Sequence, residues 1–300
     1  MGLILVSGLV NIETTVRVRQ FPINYYPIDY PFFGVHSGVS GVGYNIAKAL
    51  NALHDDVQLL SMVGHDFQAD YICSQLCSDG ISTDGISAAL QETASSVVLY
   101  DGDGKRQIYC DLKDVQQSHY DFPGNICQSA DIVVACNINF NRPLLHMAKS
   151  MGKTIATDVH VLSDIYDEYN REFLECADIV FLSDEAIGDH YRPFLWALAE
   201  NYSMKIIVLG RGGKGAAMYL RDQNEIREYP AVRVGEVVNT VGAGDALFSA
   251  FVHYYIQGKG PEEALKRAQV FASKKISESG ASRGFATQEE MEALWEQFKN

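Results

Sequence analysis

The feature that most constrains this chain is a repeated alternation of short apolar runs with amphipathic helical stretches. Leu3–Ser7, Val57–Val63, Asp131–Cys136, Thr154–Asp158, Asp178–Leu182 and Lys205–Leu209 read as strands. Several are apolar throughout, as a strand must be when helices cover both faces of its sheet. Helical periodicity runs through Tyr44–Leu53, Phe67–Ser78, Arg142–Ser150, Asp184–Glu200, Asp245–Gln257 and Pro261–Ser279. Such alternation implies βαβ units and an α/β fold, a doubly wound, mostly parallel sheet flanked by helices. No internal repeat, low-complexity tract or linker marks a boundary, so residues 1–300 are expected to form a single domain.

Two segments break the rhythm. Thr14–Val39 is rich in Tyr, Phe and Pro, and Ser95–Leu112 alternates as a hairpin around Asp101-Gly102-Asp103-Gly104, a strong turn signal. Both read as β insertions projecting from the sheet. An aromatic-rich flap beside a cleft can close over a substrate; a surface meander packing its own rings is the other reading.

Charge and composition exclude several function classes. A net charge of −14 argues against a general grip on nucleic acid, which needs phosphate neutralisation. An anionic ligand must then be held locally, by backbone N–H groups or a metal. No apolar run approaches the length of a membrane helix, so no membrane association is expected. Leu3–Gly8 is too short for a signal-peptide core and has no basic residue before it. The six scattered cysteines are expected to be reduced thiols in a cytoplasmic protein. Cys73 and Cys77 have helical metal-ligand spacing but no second Cys/His pair near them, and read as core thiols. There is no H-x-x-x-H pair, no G-x-S-x-G elbow, and no G-x-G-x-x-G after the first strand.

The most informative stretch is Val237-Val238-Asn239-Thr240-Val241-Gly242-Ala243-Gly244-Asp245, a strand-like run that ends in Gly-Ala-Gly and opens into a helix. Small residues admit close approach of a ligand, and the first amides of a helix lack intrahelical partners. With the helix dipole they form a hole for phosphate oxygens. Asp245 falls in the first turn, where a carboxylate can take a proton from an incoming hydroxyl. An ordinary helix cap is the competing reading.

The whole string resembles the Asp-Thr-x-Gly-Ala-Gly-Asp signature of the ribokinase-like, or PfkB, family of carbohydrate and nucleoside kinases, departing at Asn239. The resemblance implies Asp245 as catalytic base and Gly242, Ala243 and Gly244 as the anion hole. Nearer the N-terminus, Gly38-Val39-Ser40-Gly41-Val42-Gly43-Tyr44-Asn45-Ile46-Ala47 resembles the family's Gly-Gly-x-x-x-Asn-x-Ala element, with Ser40 in place of the first Gly. Gly8-Leu9-Val10-Asn11-Ile12-Glu13 resembles its Gly-x-x-Asn-x-Asp, with an acid one methylene longer. Asn11, Glu13, Gly41 and Asn45 are thereby implied as substrate ligands. Leu209–Ala216 resembles the Gly-x-x-Gly loop of the nucleotide site, implying Gly212 and Gly215 as nucleotide contacts beside Thr240, Gly242 and Gly244; a plain hairpin turn is the alternative.

Relatives carry Asn-x-x-Glu to organise magnesium, whereas this chain reads Ser183-Asp184-Glu185-Ala186. Asp184 or Glu185 is the substitute metal ligand by that resemblance, and a helix-capping pattern by residue chemistry. Asp158 aligns with an Asp near the phosphate path, and residues 280–284 with the region where relatives place a monovalent cation.

The resemblance implies a doubly wound ribokinase-like sheet with a small β-strand lid. The expected activity is transfer of the γ-phosphoryl group of ATP, with Mg2+, to a hydroxymethyl group of a small sugar or nucleoside (ribose-, fructose- or pseudouridine-like). A homodimer through the lid is expected by the same token. Two other readings stand: a sugar- or nucleoside-binding regulatory protein with impaired catalysis, motivated by Asn239 and Ser183–Ala186, and a vitamin-precursor kinase of the same fold, which would lack the lid.

Overall fold

The computed structural model describes residues 2–102, 105–278 and 280–299. The first third of the chain holds β1 (Leu3–Ser7), β2 (Asn11–Arg17), β3 (Val35–Ser40), α1 (Val42–Ala52), β4 (Asp56–Val63), α2 (Phe67–Ser78), β5 (Ile86–Ala88) and β6 (Ser95–Tyr100). The middle holds β7 (Arg106–Asp111), β8 (Ala130–Ala135), α3 (Arg142–Ser150), β9 (Thr154–Val161), α4 (Arg171–Cys176), β10 (Ile179–Ser183) and α5 (Tyr191–Asn201). The remainder holds β11 (Ile206–Gly210), β12 (Ala216–Leu220), β13 (Glu225–Tyr229), α6 (Ala243–Ile256), α7 (Pro261–Lys275) and α8 (Gln288–Phe298).

Nine strands form one sheet in the order β13-β12-β11-β10-β9-β8-β1-β4-β5. From β11 to β5 every pairing is parallel, and β12 and β13 close the far edge as antiparallel strands. The chain runs outward from β1 to β4 and β5 on one side, then returns to build β8 to β11 on the other. That reversal opens a crevice beyond the carboxyl ends of β1 and β8, where ligands of open α/β sheets bind.

Both faces of the sheet are covered, which is why its strands are apolar at consecutive positions. In β1, Ile4 and Val6 face a core with Leu50, Phe248, Phe251 and Phe271. Leu5, between them, faces the opposite core with Val133, Leu144, Phe173 and Leu195, as the period of two requires. No helix of the described residues is long and apolar enough to cross a membrane.

The lid is a second, four-stranded sheet in the order β3-β2-β6-β7. It begins earlier than Thr14, so Asn11 and Glu13 themselves lie on a lid strand. Its register sets Gly38, Glu13, Ser96 and Cys110 in one row across the sheet. Residues 18–34, the aromatic part of the first insertion, form no strand. Tyr25, Phe32 and Phe33 are 88%, 84% and 97% exposed, so these rings wall no cleft. Of the turn expected at Asp101–Gly104, Asp103 and Gly104 lie outside the described residues, as does Ser279.

Several sequence-based boundaries need correction. The helix expected from Asp184 begins only at Tyr191, after a 3₁₀ turn at Gly188–His190, with Pro193 in its first turn. Val237–Val241 is not a strand: it runs without ladder partners, and Val237 and Val238 are about half exposed. The helix from Pro261 ends at Lys275.

Candidate active site

The turn into α6 is built around Gly242, which adopts φ 77°. A Cβ there would stand 2.5 Å from the carbonyl oxygen of Ala281, so only glycine permits this left-handed turn against that loop. The Ala243 amide folds back onto Thr240 O at 3.2 Å. The amides of Gly244 and Asp245 follow in the first turn, where no helical carbonyl precedes them. Gly244 is exposed, and the Asp158 carboxylate lies 3.9 Å from where its Cβ would be. The Asn239 side chain accepts from the Val241 amide at 2.8 Å. An aspartate can shape the same local turn, so the Asn239 departure preserves the loop.

Asp245 is partly buried, and its carboxylate accepts a 2.7 Å hydrogen bond from Asn45 Nδ2. Burial pushes its pKa above the ordinary aspartate value; the Asn45 bond, His160 and Lys275 oppose this, while Asp158 adds to it. Asn45 reaches Asp245 because α1 starts at Gly41, with φ 103°, pressed onto the β1–β2 connection. A Cβ on Gly41 would stand 2.5 Å from Leu9 O.

The same connection leads into β2, which carries Asn11 and Glu13. Asn11 donates from Nδ2 to Ser96 Oγ at 3.0 Å. The amide oxygens of both Asn11 and Asn45 are buried without a partner, two acceptors that await donors. Burial raises the pKa of Glu13; a hydrogen bond from the Ser40 hydroxyl lowers it, Asp245 raises it and Lys275 lowers it. The structure thus bonds Asn45 to Asp245 and sets Glu13 within electrostatic reach of it, with Asn11 two residues along the same strand; all four offer acceptor oxygens suited to a polyhydroxyl ligand.

Three participants were not anticipated from sequence. Ser40 bonds Glu13 from the position of the missing glycine. His160, at φ 58°, donates its amide to Asp158 Oδ1 at 2.8 Å and lies near Asp245. Lys275 is wholly buried, and its ammonium donates to Val241 O and to Gly280 O, the latter at 2.8 Å. Burial pushes its pKa down to about 8, against the pull of Asp245, Glu13 and Glu278. Its signal was legible: Lys275 continues the buried stripe of Ala264, Ala268 and Phe271 on α7, where a lysine is out of place.

The other site residues are more loosely placed. Gly212 and Gly215 sit in the β11–β12 hairpin, Gly215 at φ 101°, so that motif is a hairpin turn at the carboxyl end of β11. Thr240 is exposed on the turn before α6. An open cavity of about 650 Å³ lies along Arg233–Val237, on the chain leading into that turn. Asp184 has the Arg211 guanidinium at 4.0 Å, and Glu185 has Arg106 of the lid at 3.6 Å. Among the described residues no group of three or more His, Cys, Asp or Glu is poised to hold a metal. Asp184 and Glu185 are thus two neighbouring carboxylates that each face an arginine.

A family model described as pfkB family carbohydrate kinase matches residues 1–288. A deoxyribokinase of Salmonella typhi is 25% identical over 96% of this chain and 96% of its own length. Among solved structures, Arabidopsis thaliana ribokinase complexed with ribose and ATP superposes with a TM-score of 0.78 at 19% identity, covering 98% of both chains. A Burkholderia thailandensis nucleoside kinase in complex with inosine gives 0.78 at 18% identity, also with 98% of both chains covered. The chain belongs to the pfkB family of carbohydrate kinases.

Proposed function

We propose that this pfkB-family kinase, which phosphorylates a sugar hydroxyl with ATP, acts on a hydroxymethyl group of a small sugar or nucleoside with Asp245 as the base. The observation that carries this reading is the 2.7 Å bond from Asn45 to Asp245, which couples the sugar motif to the base across 200 residues of chain. The acceptor lies under the lid with its hydroxyls donating to Glu13 and to the unpartnered amide oxygens of Asn11 and Asn45, against the backbone at Gly41. Asp245 takes the proton of the attacking hydroxyl. The backbone of Gly242 to Gly244, with the first-turn amides of α6, neutralises charge on the transferring group. ATP runs from that turn along the carboxyl ends of β10 and β11, touching Thr240, Gly212 and Gly215, with the cavity at Arg233–Val237 open to its base.

Mg2+ would supply charge neutralisation on the phosphates when bound, and Asp158, facing Gly244, is the carboxylate that would hold it. Asp184 and Glu185 hold arginines instead. The presence of a four-stranded lid counts against the vitamin-precursor reading. A homodimer through the lid is supported by Val35, Val97 and Tyr109, 53%, 36% and 55% exposed, which the register places on the face opposite Glu13. A cytoplasmic setting fits the six unpaired cysteines.

The test is ADP release from ATP and Mg2+ over a panel of pentoses, hexoses and nucleosides. Substrate-dependent turnover is expected, falling about a hundredfold or more in Asp245→Asn. A sugar that raises the melting temperature without any ADP release would replace this reading with the regulatory one.

A further inference from the structure

An alkali ion is held by converging carbonyl oxygens that replace its water. In the loop where relatives place a monovalent cation, the carbonyls of Val241 and Gly280 converge on the ammonium of Lys275. The site does not fit a soluble cation, because a cation of the same charge is already attached to the chain. A buried ammonium is costly even when hydrogen-bonded, and an apolar side chain would fill the end of α7 more cheaply. Its value must lie in what it holds.

What it holds is the phosphate-binding turn. Val241 immediately precedes Gly242, and Gly280 precedes Ala281, whose carbonyl abuts Gly242. One amine thus ties together the two segments whose close approach forces the left-handed turn into α6. The amides of Val238 and Asn239 add bonds to Ile276 O, next to Lys275, at 2.9 and 3.2 Å.

We propose that Lys275 is a positioning residue for phosphoryl transfer, a tethered cation that fixes the anion-binding turn and makes the enzyme independent of soluble monovalent cations. The proposal rests on the kinase reading above, and its test is chosen to separate the two. ATP affinity is measured by calorimetry, and the melting temperature without ligand by thermal denaturation. Each is taken in potassium or ammonium chloride and in tetramethylammonium chloride of equal ionic strength. The wild type should give the same values in all three salts. Lys275→Ala should lose affinity about tenfold or more in tetramethylammonium, the scale of lost hydrogen bonds to a charged group, and should melt lower. Potassium or ammonium entering the vacated space should restore both. Lys275→Met keeps the volume filled and should show the loss of affinity without the rescue.

A several-fold gain of wild-type affinity in potassium would overturn the proposal, as would variants that match the wild type in every salt. If neither variant folds, the wild-type response to potassium decides alone. Absence of ATP binding in any salt would sink the kinase reading instead, and the melting temperatures without ligand would still settle the role of Lys275.

Discussion

Asn45 and Asp245, the proposed base, share a bond that restrains how the carboxylate titrates. Burial raises the Asp245 pKa, and the Asn45 amide restrains the rise, so activity is expected to fall with decreasing pH through a value above the ordinary aspartate range. In Asn45→Ala the restraint is gone, and the acid limb of kcat should move to higher pH, with kcat at neutral pH down about tenfold. A pH–rate profile in which the limb stays put would deny the pair its catalytic role. On the alkaline side Lys275 faces Asp245, Glu13 and Glu278, and its pKa lies at about 8 against an ordinary 10.5. Activity should decline above about pH 8 as the clamp loses its charge. Stability should move the other way. Between about 8 and 10.5 the unfolded chain holds the Lys275 proton more tightly than the fold does, so the contribution of this residue to unfolding free energy rises with pH in that window. Denaturant titrations of the wild type and Lys275→Met across the window should show this rise in the first and its absence in the second. The spacing within each motif pointed to Asp245 and Asn45 because such spacing is local. Lys275 marked itself only as a lysine on the apolar stripe of α7; its partners are main-chain carbonyls, which side-chain patterns do not reveal.

In the proposed reaction the element that matters most is the turn from Gly242 into α6. Gly242→Ala places a Cβ 2.5 Å from Ala281 O at positive φ. We expect loss of ATP binding together with about 1–3 kcal/mol of stability, read by calorimetry and denaturant unfolding; retained ATP affinity would show that the turn is not the anion site. The nearly continuous apolar runs of β1, β8, β10 and β11 were legible because burial on both faces favours apolar residues at consecutive positions; β4 and β9 also carry the buried polar residues Ser61, Thr157 and Asp158. The run before Gly242 misled because Val237 and Val238 have strand propensity but no neighbouring strand edge to bond, and propensity without pairing makes no strand. The region after Asp184 misled in the opposite sense. Asp184 donates its amide to Gly210 O at 3.0 Å, holding the chain in a loop across the sheet end until Tyr191. β5 has only three residues, too few for a period. The capping box of Thr287 and Glu290 that opens α8 was present in the sequence and signals a helix start in its own right.

At the scale of the whole molecule, strand–helix alternation identified the sheet, and the structure brings motifs about 200 residues apart, at Asn45 and Asp245, into contact. The pairing of the lid was not legible in the same way. β2 and β6 are parallel neighbours separated by most of the first hundred residues, and such long-range pairing has no local signature. The lid's consequences reach beyond one chain. Of its edge strands, β3 is exposed over Val35–Ser37 and β7 at every position. Its outer face carries Val35, Val97 and Tyr109, while the inner face holds Glu13 and Ser96. A sheet with one apolar face open and two free edges invites association, and proteins generally cover or charge such edges. With a second copy as the cover, the wild type should sediment as a dimer. Val97→Glu puts a charge at the centre of that face, away from the substrate side, and should shift the protein to monomer while Glu13 and Asn11 keep their contacts. If lid pairing also steadies the closed site, the monomer should show a raised KM for the sugar and an unchanged affinity for ATP, because the turn at Gly242 lies outside the lid. A wild type that sediments as a monomer at assay concentration, or a Val97→Glu variant that remains dimeric, would move the association surface elsewhere.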